Sequence, residues 1–227
     1  MLARPQRSCV LLGADYAGVQ TQAAFLRKEW GLCTIKRDDI MKESNSLDTT
    51  MRKLSEEIGS FQCRRGFALT HFPATVEEAT ALDEMISSKH PNKSDYKVFM
   101  LDLPSSNEAE RKKSSEILNS RARGMLLHPT SGRIYNTTDP ELAPQSPNVD
   151  DVTGEGLVCP TWNLSDLENR LNDWWNHRRP AITTFFKTRC CCIDASKSRD
   201  LVSVEISRTL LGESSTPKEL NPAPSAV

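Results

Sequence analysis

Apolar residues follow two rhythms along this chain. Short unbroken runs, at residues 10–12, 67–69 and 98–101, read as strands buried on both faces. Between them, apolar positions recur at helical spacing. Val19, Ala23, Leu26 and Trp30 share one face, which Gly31 ends. Leu47, Met51, Leu54 and Ile58 mark a second helix, and Val76, Ala79, Leu82, Met85 and Ile86 a third. Residues 32–35 form another short strand candidate, followed by Asp38 and Asp39 as helix caps. Thr75-x-x-Glu78 and Ser105-x-x-Glu108 have the form of capping boxes, the second opening a helix to about Arg123. Leu164, Leu167, Leu171 and Trp174 resume the helical pattern, and Pro180 suits the first position of a further short helix. A last strand at 190–193 and a helix on Val202, Ile206 and Leu210 complete the series. Strands alternating with helices predict an α/β fold whose parallel sheet is covered on both faces.

Residues 125–160 break the rhythm. They hold Pro129, Pro140, Pro144, Pro147 and Pro160, with short apolar pieces at 125–127 and 133–135. So long a stretch without a helix reads as a small inserted β flap. The tail after Gly212, rich in Ser and Pro, reads as disordered. At 227 residues the chain suits one domain carrying such an insertion.

Charge removes some function classes. The formal net charge is -1 and the sequence pI about 6.4, which gives no nucleic-acid footprint. No apolar run reaches the roughly 18 residues of a membrane helix. An odd count of seven cysteines, with no secretory signal, fits a reducing intracellular setting. The first eight residues carry two arginines and no acid, a trait of mitochondrial addresses. They are read here as a short solvated leader. Cys190-Cys191-Cys192 alternates faces on a strand and lacks the spaced pairs of a zinc site, so these read as core or partly buried thiols. Cys9, Cys33, Cys63 and Cys159 show no ligand spacing either, and no metal site is expected. Of Trp174 and Trp175, one ring is expected in the core and the other is a candidate partner contact.

Residues 13–21, GADYAGVQT, link a strand to a helix. That is the setting of a phosphate-binding loop, which needs a lysine after its second glycine. Val19 occupies that place. Four stretches follow in an order that carries a family resemblance: LLGADYAGVQTQAAFL (11–26), GFALTHFPATVEEATALD (66–83), RARGMLLHPTSGRIYN (121–136) and DDVTGEGLV (150–158). Over about residues 8–211 the chain resembles the adenylate kinases, within the nucleoside-monophosphate kinases. The resemblance implies an adenylate-kinase-like domain at 9–211, built on a P-loop NTPase-like parallel-sheet core with helices on both faces. It also implies a helical nucleotide-monophosphate-binding arm at about 36–66 and a LID at about 125–160. The activity it implies is reversible phosphoryl transfer from Mg-ATP to AMP.

Phosphoryl transfer is mostly positioning and charge neutralisation. Measured against the family pattern, Gly13, Gly18, Thr21 and Gln22 match the loop, while Val19 stands for its lysine. Asp15, Tyr16 and Gln20 are further departures, with an acid for a proline and two side chains for glycines. In the arm, Asp39 matches, Lys42 replaces an arginine that grips phosphate, and Arg37 replaces a threonine facing AMP. Phe72, Pro73 and Thr75 match the next motif. Within it Thr70 replaces the aspartate that orders the magnesium shell, and His71 a glycine. Ala74 replaces an arginine on the AMP phosphate, and Glu78 the glutamine that reads adenine. His71, a lone histidine beside a turn, reads as structural. Arg121 matches an arginine packing on the ATP adenine, and Met125 replaces a catalytic arginine. Pro160-Thr161-Trp162-Asn163 stands where another catalytic arginine and two acids belong, and Arg170 matches a later arginine after a one-residue shift.

These departures point to a catalytically inactive or severely impaired relative, serving as a structural or binding subunit of a larger assembly with other protein subunits. The cell compartment, whether cytoplasmic, flagellar or mitochondrial, is left open by the sequence. The alternatives are an active or weak kinase with Arg121 and Arg170 as its catalytic candidates, or a non-catalytic adenine-nucleotide sensor. Candidate nucleotide contacts are Gly13, Gly18, Thr21, Asp39, Lys42, Arg121 and Arg133. No cofactor is expected, with Mg-ATP and AMP entering only through residual activity. In the LID, His128, Ser131, Asp150 and Thr153 match the hydrogen-bonded cluster that replaces four zinc-binding cysteines in some relatives; Gly132, Tyr135, Gly154 and Glu155 also fit.

Overall fold

The computed structural model describes residues 7–42, 46–93, 95–160 and 163–212. Residues 1–6 of the leader, Thr161 and Trp162, and the tail from Glu213 lie outside the described residues. Strand β1 (Cys9–Gly13) leads through a loop into α1 (Val19–Phe25), which a π-helical turn extends to Trp30 before Gly31 stops it. Then come β2 (Cys33–Lys36), α2 (Arg37–Met41), α3 (Leu47–Gly59) and a 3₁₀ turn over Phe61–Arg65. The chain continues with β3 (Phe67–Thr70), α4 (Val76–Lys89), β4 (Lys97–Asp102) and α5 (Glu108–Gly124). A hairpin of β5 (Met125–Leu127) and β6 (Ile134–Asn136) opens the insertion. After it lie α6 (Leu164–Asp173), a π-helical turn over Trp174–Arg178, α7 (Arg179–Phe186), β7 (Cys190–Asp194) and α8 (Arg199–Leu210).

The main sheet has five parallel strands in the order β2-β3-β1-β4-β7. Every residue of β1 is buried, as are Val98 to Leu101 of β4. That is why these strands read as continuous apolar runs instead of alternating ones. Phe67, Phe72, Phe99 and Phe186 are almost fully enclosed; burying such a ring contributes about 1.5–3 kcal/mol. The chain leaves β1 toward β2 and later crosses back to β4. The strand order therefore reverses at β1, and a crevice opens beyond the carboxyl ends of β1 and its neighbours.

Three local expectations are corrected. Helix α5 is capped by Asn107, which accepts from the Glu110 N–H, so Ser105 and Glu108 do not form its box. Asp38 and Asp39 lie inside the first turn of α2, where their charge suits the helix dipole, and Lys36 is the cap residue. Trp174 and Trp175 are both buried, at 3% and 6% exposure, so neither ring is left for a partner. The π-helical turn explains this, because its wider winding carries two successive side chains inward. Thr75 does cap α4, accepting from the Glu78 N–H.

One pairing could not be read from spacing. Cys33 and Cys63 are joined in a disulfide, their Cα atoms 4.8 Å apart across a sequence separation of 30. At the far end of the chain, Gln22 of α1 is buried and donates to the Arg199 carbonyl (3.1 Å) while accepting from the Ser203 hydroxyl (2.9 Å). These two bonds join the first helix to the last.

Gly66 has a φ of 115°, and a Cβ there would lie 1.5 Å from the Arg7 carbonyl oxygen. Gly132 also has positive φ, 70°, but faces open space. Gly66→Ala is expected to cost more than about 4 kcal/mol or to prevent folding, and Gly132→Ala about 1–2 kcal/mol. Urea denaturation of the two variants checks the contrast.

Candidate functional site

Gly13 ends β1, Gly18 precedes α1, and the loop between them curls over the crevice, with the Ala17 N–H donating to the Ala14 carbonyl (3.1 Å). Two non-glycine residues here have left-handed backbone, Tyr16 (φ 63°) and His71 (φ 59°). Each such residue costs about 1–2 kcal/mol relative to an ordinary conformation. Under the loop is a cavity of about 270 Å³, walled by Ala17, Val19, Met125, Ile134 and Val202. Arg121 and His71 also line it. Arg121 donates to the carbonyls of Ala195 (2.8 Å) and Tyr16 (3.5 Å), and burial lowers its pKa. Burial likewise pushes the His71 imidazole below its ordinary value, against the opposing pull of Asp15.

The charged groups at this edge are engaged with one another. Arg37 at the start of α2 forms a two-pronged ion pair with Glu78 of α4, at 2.7 and 2.8 Å. The pair is largely enclosed, with side-chain exposures of 22% and 13%. The guanidinium also lies 5.4 Å from the centre of the Phe72 ring. Burial pushes the Glu78 carboxyl up, but Arg37 and the Ala74 N–H outweigh it and hold the group below its ordinary value. Across the loop, Arg170 of α6 donates to Asp15 at 2.6 Å. This second pair is more exposed, 54% and 36%, and contributes at most about 1 kcal/mol. Gln20 donates to the fully buried Thr70 hydroxyl at 3.3 Å, and that hydroxyl donates to the Ile35 carbonyl at 3.4 Å.

The insertion holds a denser polar cluster. The carboxylate of Asp150, 1% exposed, accepts from Arg133 Nε (2.8 Å) and Nη2 (2.6 Å), and from the Tyr135 hydroxyl (3.0 Å). It also accepts from both the Thr153 N–H (2.8 Å) and its hydroxyl (2.9 Å). His128 shares hydrogen bonds with the Ser131 hydroxyl and the Glu155 carboxylate, both at 2.6 Å. The Arg133 bonds, chief among these donors, hold the Asp150 carboxyl far below the usual carboxylate range. Bridges Leu127–Val158 and Val149–Gly156 close the surrounding loops.

His128, Ser131, Asp150 and Thr153 are thus brought together, with Arg133, Tyr135 and Glu155 completing the cluster. Gly18, Thr21 and Arg121 line the cavity. Asp39 and Arg133 line a separate open cleft of about 1130 Å³ together with Thr21, while Lys42 sits on the surface paired to Asp39 at 3.0 Å. Arg133 is committed to Asp150, and Arg170 to Asp15. Among the described residues, no group of three or more His, Cys, Asp or Glu side chains is placed to hold a metal ion, and no helix is long and apolar enough to cross a membrane. The sequence reading treated Arg37, Glu78, Asp15 and Arg170 one at a time and missed that they pair. The signal was present: each pair joins opposite charges, and three of the four residues depart from the family pattern.

A parallel sheet reversing at β1, with a glycine-bearing strand-to-helix loop over the crevice, defines a P-loop NTPase-like α/β fold. No family model matches the chain. It is, however, 27% identical to adenylate kinase 4 of Oryza sativa subsp. japonica, over 92% of this chain and 89% of that protein. It is also 27% identical to adenylate kinase 4 of Arabidopsis thaliana, over 91% and 87%. A third relative, the adenylate kinase of Kluyveromyces lactis, is 28% identical over 88% and 92%. The chain is thus similar to proteins named adenylate kinase over most of its length.

Two outcomes follow from the pairings. Arg37→Ala and Glu78→Ala are each expected to cost about 1–3 kcal/mol, and the double variant about 1–2 kcal/mol less than their sum; simple additivity in a denaturation cycle contradicts the coupling. For Asp150 the folded pKa lies below the unfolded value near 4. Its stabilisation is therefore complete above that value and lost as pH falls toward the folded pKa, because the unfolded chain takes up the proton first. Asp150→Asn should be less stable at neutral pH and show a flatter loss of stability between about pH 5 and 2, measured by thermal unfolding across that range.

Proposed function

We propose that this adenylate kinase-like protein is catalytically inactive or severely impaired, and serves as a structural or binding subunit of a larger intracellular assembly. The observation that carries this reading is the mutual pairing at the crevice edge. Arg37 is held by Glu78 in an enclosed pair, and Arg170 is engaged more weakly by Asp15 in an exposed one. A bound polyphosphate needs free cations around it, and an in-line transfer needs several at once. Here the cation expected after Gly18 is replaced by Val19, which is buried at 2% exposure, and the carboxylate of Asp15 stands in the loop itself. Removing a single arginine from a phosphoryl-transfer site costs about 10³–10⁵ in rate. Loss or sequestration of several therefore argues against turnover, and with it against a working Mg-ATP site.

The second reading is a nucleotide sensor that binds without turnover. Its support is the 270 Å³ cavity, whose apolar walls and Arg121 are compatible with a flat base.

Calorimetric titration with ATP, ADP, AMP and a bisubstrate dinucleotide, with and without Mg²⁺, separates the readings when run beside a phosphoryl-transfer assay. The expected result is no turnover and no micromolar affinity for the bisubstrate compound, with the tagged protein sedimenting with other subunits. Binding without turnover favours the sensor. Micromolar binding with turnover that Arg170→Ala abolishes overturns both readings and makes the chain a working kinase.

A further inference from the structure

The arm formed by α2 and α3 enters from β2 and leaves through the 3₁₀ turn before β3. A cysteine stands at each gate. Cys33 is the first residue of β2, opposite Phe67 of β3, and its N–H donates to the Gly66 carbonyl at 3.1 Å. Cys63 lies in the turn, and its carbonyl accepts from the Gly66 N–H at 3.0 Å. Gly66 thus binds both backbones, and the sulfurs meet through bonds in which neither sulfur takes part. The Cα separation of 4.8 Å falls within the span a disulfide bridges. The remaining side-chain ties from the arm to the body include Arg37–Glu78 and a bond between Ser55 and His90 at 3.0 Å.

We propose that Cys33 and Cys63 form a reversible redox clasp that sets how readily the arm opens from the core. The two sites differ in access. Cys63 is fully buried, whereas Cys33 is half-buried, so Cys33 is the sulfur a soluble reagent reaches. With a small disulfide such as oxidised glutathione as oxidant, the Cys33 thiolate attacks one glutathione sulfur and expels the other as a thiolate. The Cys63 thiolate then attacks the Cys33 sulfur and expels the second glutathione. Two cysteine thiols lose two electrons in total, their protons pass to the departing thiolates, and one disulfide becomes two glutathione thiols. The closed bond spans the whole arm, across a sequence separation of 30. It removes chain freedom from any state in which the arm has come away, and so disfavours that state. Reduced, the arm keeps its packing but loses this constraint. The inference does not depend on whether the crevice binds nucleotide.

The test uses the full chain carrying Cys159→Ser, which removes an exposed thiol able to cross-link copies. The protein is equilibrated with oxidised glutathione or with dithiothreitol, blocked with N-ethylmaleimide, and mapped by mass spectrometry without reduction. A peptide linking Cys33 to Cys63 is expected only in the oxidised sample. Amide hydrogen exchange across residues 47–59 should then be about tenfold or more faster in the reduced sample. In Cys33→Ser the exchange should no longer respond to the redox treatment. If that variant does not fold, the oxidised and reduced forms of the parent chain decide alone. Free thiols at both positions after oxidation overturn the proposal, as does a cross-link that leaves arm exchange unchanged.

Discussion

The hydrogen bonding of β1 to two parallel neighbours organises the molecule. Cys9 to Leu11 pair with Ala68 to Thr70 on one side, and Cys9 to Gly13 with Lys97 to Leu101 on the other. A strand enclosed this way must be apolar on both faces, and the helices that cover it must each present an apolar stripe. It also fixes where polar chemistry can sit. Side chains that reach solvent lie beyond the strand ends, and the reversal of strand order there leaves the crevice on which the loop, His71 and Thr70 converge.

What fills that edge is a set of internal partners. Polar groups removed from bulk water need compensation, and a protein supplies it from a ligand or from its own chain. This chain supplies it from within, as an enclosed Arg37–Glu78 pair between arm and core and a more exposed Asp15–Arg170 pair between loop and α6. The two pairs differ in energetic weight. The enclosed pair has lost most of its hydration and depends on keeping both members, whereas the exposed pair is readily replaced by solvent. A ligand competing for Arg170 therefore meets less resistance than one competing for Arg37.

Much of the architecture was legible from residue order. The unbroken apolar runs at β1, β3 and β4 and the helical spacing of α1, α3 and α4 announced a covered parallel sheet, because burial on two faces leaves no polar alternation to confuse the reading. The polar residues of the flap cluster could be named through the family pattern, whereas the bond that ties Arg133, a candidate nucleotide contact, to Asp150 could not. Other features were hidden for physical reasons. A π-helical turn shifts facing by one residue, so period 3.6 cannot predict that both Trp174 and Trp175 are buried. Asn107 outcompeted Ser105 as a cap because several polar residues stood within three positions. The Arg37–Glu78 and Cys33–Cys63 pairs join segments 41 and 30 residues apart, and only the strand register reveals that distance in sequence as contact in space.

The bonds from Gln22 to Arg199 and Ser203 have a mechanical meaning. They couple α1, which begins directly after the glycine loop, to α8 without passing through the sheet. A shift of α8 is therefore felt at α1, and so next to the glycine loop, through hydrogen bonds as well as through the sheet both helices cover.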